Sequence, residues 1–176
     1  MADLSTELNE FWKWAEKSPA EYAINRGYGE WETEYPNWPL LYKSAENALN
    51  NLESQYDSNV ADLLIQALAI DNECEKILDA IAKSEIDFFR FTAQVMLSDQ
   101  SEARWQMAEA LGQVNYKDRD AQLAQLILED DDLYVKRRAL LSLAKVNKSR
   151  AKEYAKSFVD STDKTLARIC TEIVQN

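Results

Sequence analysis

The chain has 176 residues, enough for one domain or one short repeat array with a sizeable buried core. It carries 31 Asp or Glu against 20 Lys or Arg and no histidine, a formal charge of −11. The missing histidine excludes the Ser/His/Asp and Cys/His arrangements and removes the commonest metal ligand. The excess acid argues against a nucleic-acid backbone as partner, because phosphate contacts need a contiguous basic patch. Gly27, Gly29 and Gly112 fit neither phosphate-loop nor dinucleotide spacing. With only three glycines and three prolines, regular structure must cover most of the chain, and the abundant Ala, Leu, Glu, Lys and Gln favour helices. No apolar run reaches membrane-spanning length and no charged-then-apolar leader is evident, so a cytoplasmic protein is expected. Cys74 and Cys170 are too few and too isolated for a disulfide framework or a zinc site, and both read as core thiols.

In chain order, a first helix near 3 to 17 places Leu4, Leu8, Phe11, Trp12 and Ala15 on one face. Ser18 and Pro19 then read as a cap and first-turn proline of a second helix. Residues 25 to 39, NRGYGEWETEYPNWP, read as an ordered loop. Pro39 opens another helix, whose apolar face runs through Leu40, Leu41, Ala45, Ala48, Leu49 and Leu52.

From about residue 58 the chain repeats. Four first helices read ADLLIQALAID (61 to 71), FTAQVMLSD (91 to 99), AQLAQLILEDDD (121 to 132) and KEYAKSFVDSTD (152 to 163). Four second helices align as CEKILDAIA (74 to 82), ARWQMAEAL (103 to 111), VKRRALLSL (135 to 143) and LARICTEIV (166 to 174). Their columns Cys74/Ala103/Val135/Leu166, Leu78/Met107/Ala139/Cys170, Ile81/Ala110/Ser142/Ile173 and Ala82/Leu111/Leu143/Val174 fall at i, i+4, i+7 and i+8, one stripe of a helix. Each pair has too little apolar surface to fold alone, so stacked neighbours must share a core.

The second-helix pattern of a turn acid, an apolar residue, a basic residue and a small one is clearest in Asp132, Val135, Lys136 and Ala139. It recurs more weakly in Gln100, Ala103, Arg104 and Met107, and in Asp163, Leu166 and Cys170, where Ala167 replaces the basic residue. This resembles HEAT or HEAT-like repeats in their short form. The resemblance covers about two thirds of the chain and implies an all-α fold: a single domain, 1–176, built as a right-handed stack of antiparallel helix pairs. Residues 1–57 would form the helical cap and 58–176 about four pairs. The turn acids are expected to cap the second helices.

Charge is unevenly spread. Residues 1 to 90 hold 18 Asp or Glu and 7 Lys or Arg, while residues 91 to 176 hold 13 of each. Two acidic clusters stand out: Glu30, Glu32 and Glu34 interleaved with Trp31, Tyr35 and Trp38, and Asp71, Glu73, Glu75 and Asp79 around a helix start. At i+4 spacing Asp71, Glu75 and Asp79 should repel one another slightly. Such clusters are either a solvated face or a landing surface for a basic protein, with the aromatics as anchors. Trp105 shares a column with Lys76, Arg137 and Arg168 opposite the apolar stripe, so partial exposure is expected of it. The candidate partner-binding set is therefore Glu30, Trp31, Glu32, Glu34, Tyr35, Trp38, Asp71, Glu75, Asp79 and Trp105.

No catalytic constellation, cofactor site or metal site is expected. A binding protein is, and its sharpest form is an immunity protein that neutralises a basic, nuclease-type bacterial toxin by blocking its active site. Some contact-dependent growth inhibition immunity proteins are similar in being compact HEAT-like stacks. The alternatives are a HEAT-like adaptor for a host-cell protein and a carboxylate-dependent enzyme, whose metal would sit near Asp130, Asp131 and Asp132.

Overall fold

The computed structural model describes residues 3–175. Eleven α-helices account for most of them, and no strand occurs among the described residues. In order they are α1 (Leu4–Ala15), α2 (Pro19–Ile24), α3 (Trp38–Ser54), α4 (Ser58–Ile70), α5 (Lys76–Lys83), α6 (Phe88–Met96), α7 (Ser101–Gln113), α8 (Arg119–Glu129), α9 (Leu133–Val146), α10 (Lys148–Ala155) and α11 (Lys164–Gln175). Short 3₁₀ turns follow at Trp31–Glu34 and Lys156–Phe158. Among the described residues no helix is long and apolar enough to cross a membrane.

The chain divides into two compact units, Met1–Gln106 and Met107–Asn176, with the boundary inside α7. In the first unit α4 is the central helix. It buries Ala61, Leu64, Ile65, Ala67, Leu68, Ala69 and Ile70, and its alanines let α1, α3, α5 and α6 approach closely. Each fully buried Leu or Ile contributes roughly 1.5–3 kcal/mol. In the second unit α9 packs against α8, α10 and α11, burying Val135, Ala139, Leu140 and Leu143.

Helix starts follow the local chemistry. Asp3 caps α1 by accepting from the Thr6 N–H, and Ser18 and Glu21 form a reciprocal capping box ahead of Pro19 in α2. At the second helices, Asp132 accepts from the Tyr134 and Val135 amides at 2.7 and 3.2 Å, and Asp163 from the Leu166 amide at 2.6 Å. Asp71 accepts from the Ile77 amide at 2.8 Å. Asp130 accepts from the Asp132 amide within its own turn.

The repeat columns are largely interior: Ala103, Val135 and Leu166 in the first, all four members of the second and third, and Leu111 and Leu143 in the fourth are buried. Ala82 and Val174 are half-buried, and one position departs outright. Cys74 is exposed, because α5 starts only at Lys76 and residues 71–75 form a turn. The same late start corrects the expected helical succession of Asp71, Glu75 and Asp79: only Asp79 lies on the helix. Cys170 is buried as expected, and its burial pushes the thiol up to about 11.

Candidate functional site

The acidic and aromatic residues of the first 80 positions all fall in the first unit, which carries 20 Asp or Glu against 8 Lys or Arg over residues 1–106. Phe11, on the buried face of α1, is the hub of the aromatic cluster. Its ring meets Trp12 and Tyr35 edge-on at 5.0 and 5.1 Å and lies within 6.2 Å of Trp14, Trp31 and Trp38. Trp38, at the start of α3, stacks on Tyr42 at 5.0 Å, and the Lys76 ammonium sits 4.7 Å from the Tyr42 ring centre. Such pairs are worth ~0.5–1.5 kcal/mol beyond the area they bury.

The loop between α2 and α3 is fixed by hydrogen bonds to its backbone and by one buried acid. The Trp31 indole N–H donates to the Arg26 carbonyl at 3.1 Å and the Trp38 indole N–H to the Glu32 carbonyl at 2.8 Å. The Glu32 carboxylate, 1% exposed, accepts from Arg26 Nε at 2.7 Å, Arg26 Nη2 at 3.1 Å and the Tyr22 hydroxyl at 2.7 Å. Arg26 Nη2 also donates to Asn72 Oδ1 at 2.9 Å and to Glu73 at 3.2 Å. Burial, reinforced by the Glu32 charge, raises the Tyr22 hydroxyl far above its ordinary value. For Arg26, burial works against the guanidinium charge, but Glu32 outweighs it and the pKa is raised.

Through Arg26 the two acidic clusters, some forty residues apart in sequence, meet in space. Their inner members are structural. Asp71, 2% exposed, accepts from the Tyr42 hydroxyl at 2.7 Å as well as from the Ile77 amide. Burial raises its carboxyl, and the hydrogen bonds from Ile77 and Tyr42 draw it back only in part. Tyr35 is also buried. Of the ten predicted contact residues, Glu30, Glu34 and Asp79 are exposed, Trp31, Trp38 and Glu75 are half-buried, and Glu32, Tyr35, Asp71 and Trp105 are interior.

Trp105 is the clearest correction. It is 8% exposed, not partly exposed, because α7 buries Ala103, Gln106, Met107, Ala108, Ala110 and Leu111 as well. A helix covered on nearly every side has no solvent face for its odd column to occupy.

Two surface residues lie outside the predicted contact set, Glu73 although it belongs to the second acidic cluster. Glu73 lies beside Arg26 at the rim of the network. Tyr28 is fully exposed at a bend between Gly27 and Gly29, whose φ angles of 95° and 84° are left-handed. The Gly-Tyr-Gly bracket was the available signal for it. Among the described residues, no group of three or more His, Cys, Asp or Glu could hold a metal ion. No family model matches the chain, and no curated protein matches it either.

Proposed function

We propose that this protein acts by binding a basic protein, and in its most specific form that it is an immunity protein. On this reading it blocks the active site of a cationic, nuclease-type toxin in the cytoplasm. The observation that carries the reading is a set of exposed carboxylates on the first unit, Glu30 and Glu34 in the loop that holds Trp31 and Tyr35 and leads into Trp38, Glu73 beside Arg26 and Asp79 on α5, with the Trp31 and Trp38 indoles fixed by hydrogen bonds to the loop backbone. A preordered surface of this kind loses little side-chain freedom on association, and its excess charge steers a cationic partner into register. Carboxylates there would stand where nucleic-acid phosphates stand in the toxin's groove, and the half-buried Trp38 and Trp31 rings would stand where bases do.

The reading also takes the helix pairs from residue 58 onward as HEAT-like repeats. Burial of the aligned columns and the turn-acid caps of Asp71, Asp132 and Asp163 support it. The direct experiment is titration against the basic domain encoded by the adjacent open reading frame, with the association rate followed as salt is raised. Tight binding whose association slows with salt is expected; absence of binding to any basic neighbour would overturn the proposal.

A further inference from the structure

A second surface of the first unit is lined by none of the residues that Arg26 bonds. A groove of about 390 Å³ runs between α2 and the turn joining α6 to α7, with Asp62 and Ile65 of α4 along its floor. Three separate observations point to an occupant. The first is apolar: Leu97, at the rim where α6 ends, is 86% exposed, and Ile24, one residue beyond the groove residue Ala23, is 87% exposed. Aliphatic side chains this bare are individually ordinary, but here both belong to the elements forming one cleft.

The second is charge. Asp62 and Asp99 line the groove, both are exposed, and no lysine or arginine is among the lining residues. Neither acid forms an ion pair among the described residues; Asp62 accepts only a neutral bond from the Gln94 amide. The third is an orphaned acceptor. Gln100, 6% exposed, lines the groove and donates its Nε2 to the Pro19 carbonyl at 2.9 Å, while its buried Oε1 has no hydrogen-bond partner. A buried acceptor left unmet is costly, and the side chain that carries it belongs to the groove wall.

We infer that the groove between α2 and the α6–α7 turn docks a basic, aliphatic-bearing peptide segment of another protein. The segment's aliphatic side chains cover Leu97 and the small-residue wall of Ala20 and Ala23. Its Lys or Arg groups pair with Asp62 and Asp99, which orients the segment along the cleft. Acid on its walls and none of the opposite sign disfavours an acidic segment of equal hydrophobicity. None of Glu30, Glu34, Glu73 and Asp79 lines this groove.

The test uses a fluorescent twelve-residue peptide of alternating Lys and Leu, its Glu/Leu counterpart, and the full-length chain. Amide chemical shifts of the unaltered protein are followed during titration, so the result does not depend on a variant folding. Expected are saturable shifts concentrated at Ala20, Ala23, Leu97, Asp99 and the Gln100 side-chain amide, with the Glu/Leu peptide inert. Asp62→Lys with Asp99→Lys, and separately Leu97→Ser, should each weaken binding roughly tenfold. Glu30→Lys with Glu34→Lys should leave it within about twofold of wild type. No binding, shifts centred on Glu30 to Glu34 or spread over every acid, or equal loss in all variants would overturn the inference. Because Glu30 and Glu34 are altered separately, failure here leaves the proposal for the acidic rim to its own test.

Discussion

Arg26 grips Glu32 at two points, Nε to Oε1 at 2.7 Å and Nη2 to Oε2 at 3.1 Å, with the carboxylate buried and the guanidinium one-fifth exposed. This pair closes the loop between α2 and α3 and ties it, through Asn72 and Glu73, to the turn before α5. The loop that carries the exposed Glu30 and Glu34 is therefore held by a buried ion pair.

Glu32→Gln should destabilise the protein by about 3 kcal/mol, the lower end for breaking a buried pair, since Arg26 keeps some solvent and two other acceptors. Urea unfolding measures it. Replacing both partners, Arg26→Met with Glu32→Leu, should recover part of the loss, because no charge is then left buried and unpaired.

Asp71→Asn removes one of two acceptor oxygens, losing the Ile77 amide or the Tyr42 hydroxyl, and should cost about 1–3 kcal/mol. Its pH dependence has a definite sign. Burial raises the folded-state pKa of Asp71, so the folded protein holds this proton more firmly than the unfolded chain does. That contribution is fully present below the ordinary carboxylate pKa and is lost as pH rises through the raised value. The stability advantage of wild type over Asp71→Asn should thus shrink as pH rises through the carboxylate range. Unfolding midpoints across that range check it, and an advantage that grows contradicts it.

Trp105→Ala should behave as a core deletion, costing about 3–5 kcal/mol in thermal or urea unfolding. The folded fraction should keep its affinity for a partner at the acidic rim. A selective loss of affinity at unchanged stability would restore Trp105 to the contact surface.

Gly112→Ala tests the close approach of α7 and α9 within the second unit. A methyl group at Gly112 would lie 2.9 Å from both the Cβ and the Oγ of Ser142 and 3.3 Å from its Cα. Alanine's better helix propensity, about 1 kcal/mol, is outweighed by overpacking of roughly 1–3 kcal/mol. Ser142→Gly in the same chain should restore most of the lost stability.

Helices were legible wherever periodicity and caps agreed. Ser18-Pro19, Asp132 and Asp163 announce helix starts by chemistry that acts within three residues, and the columns through Ala103, Met107, Val135 and Ala139 are buried because a stripe must face something. What escaped the sequence depends on contacts distant along the chain. Glu32 and Asp71 look like their neighbours Glu30 and Glu75, yet each is drawn inward by partners that no local pattern announces, Arg26 and Tyr22 in one case and Tyr42 in the other. Trp105 misled because a column position says which way a residue points but not whether another helix covers that side. Cys74 fell out of its column because α5 begins at Lys76, two residues beyond it, whereas α7, α9 and α11 begin two residues before Ala103, Val135 and Leu166.

The central claim, that the carboxylate rim recruits a basic partner, is tested most directly by association kinetics of the Glu30→Lys, Glu34→Lys, Asp79→Lys variant against that partner at low and high salt. The three side chains are exposed, so the fold should survive. The account predicts an association rate lowered roughly tenfold or more at low salt, a flattened salt dependence, and a dissociation rate changed far less. Association as fast and as salt-dependent as that of wild type would contradict it.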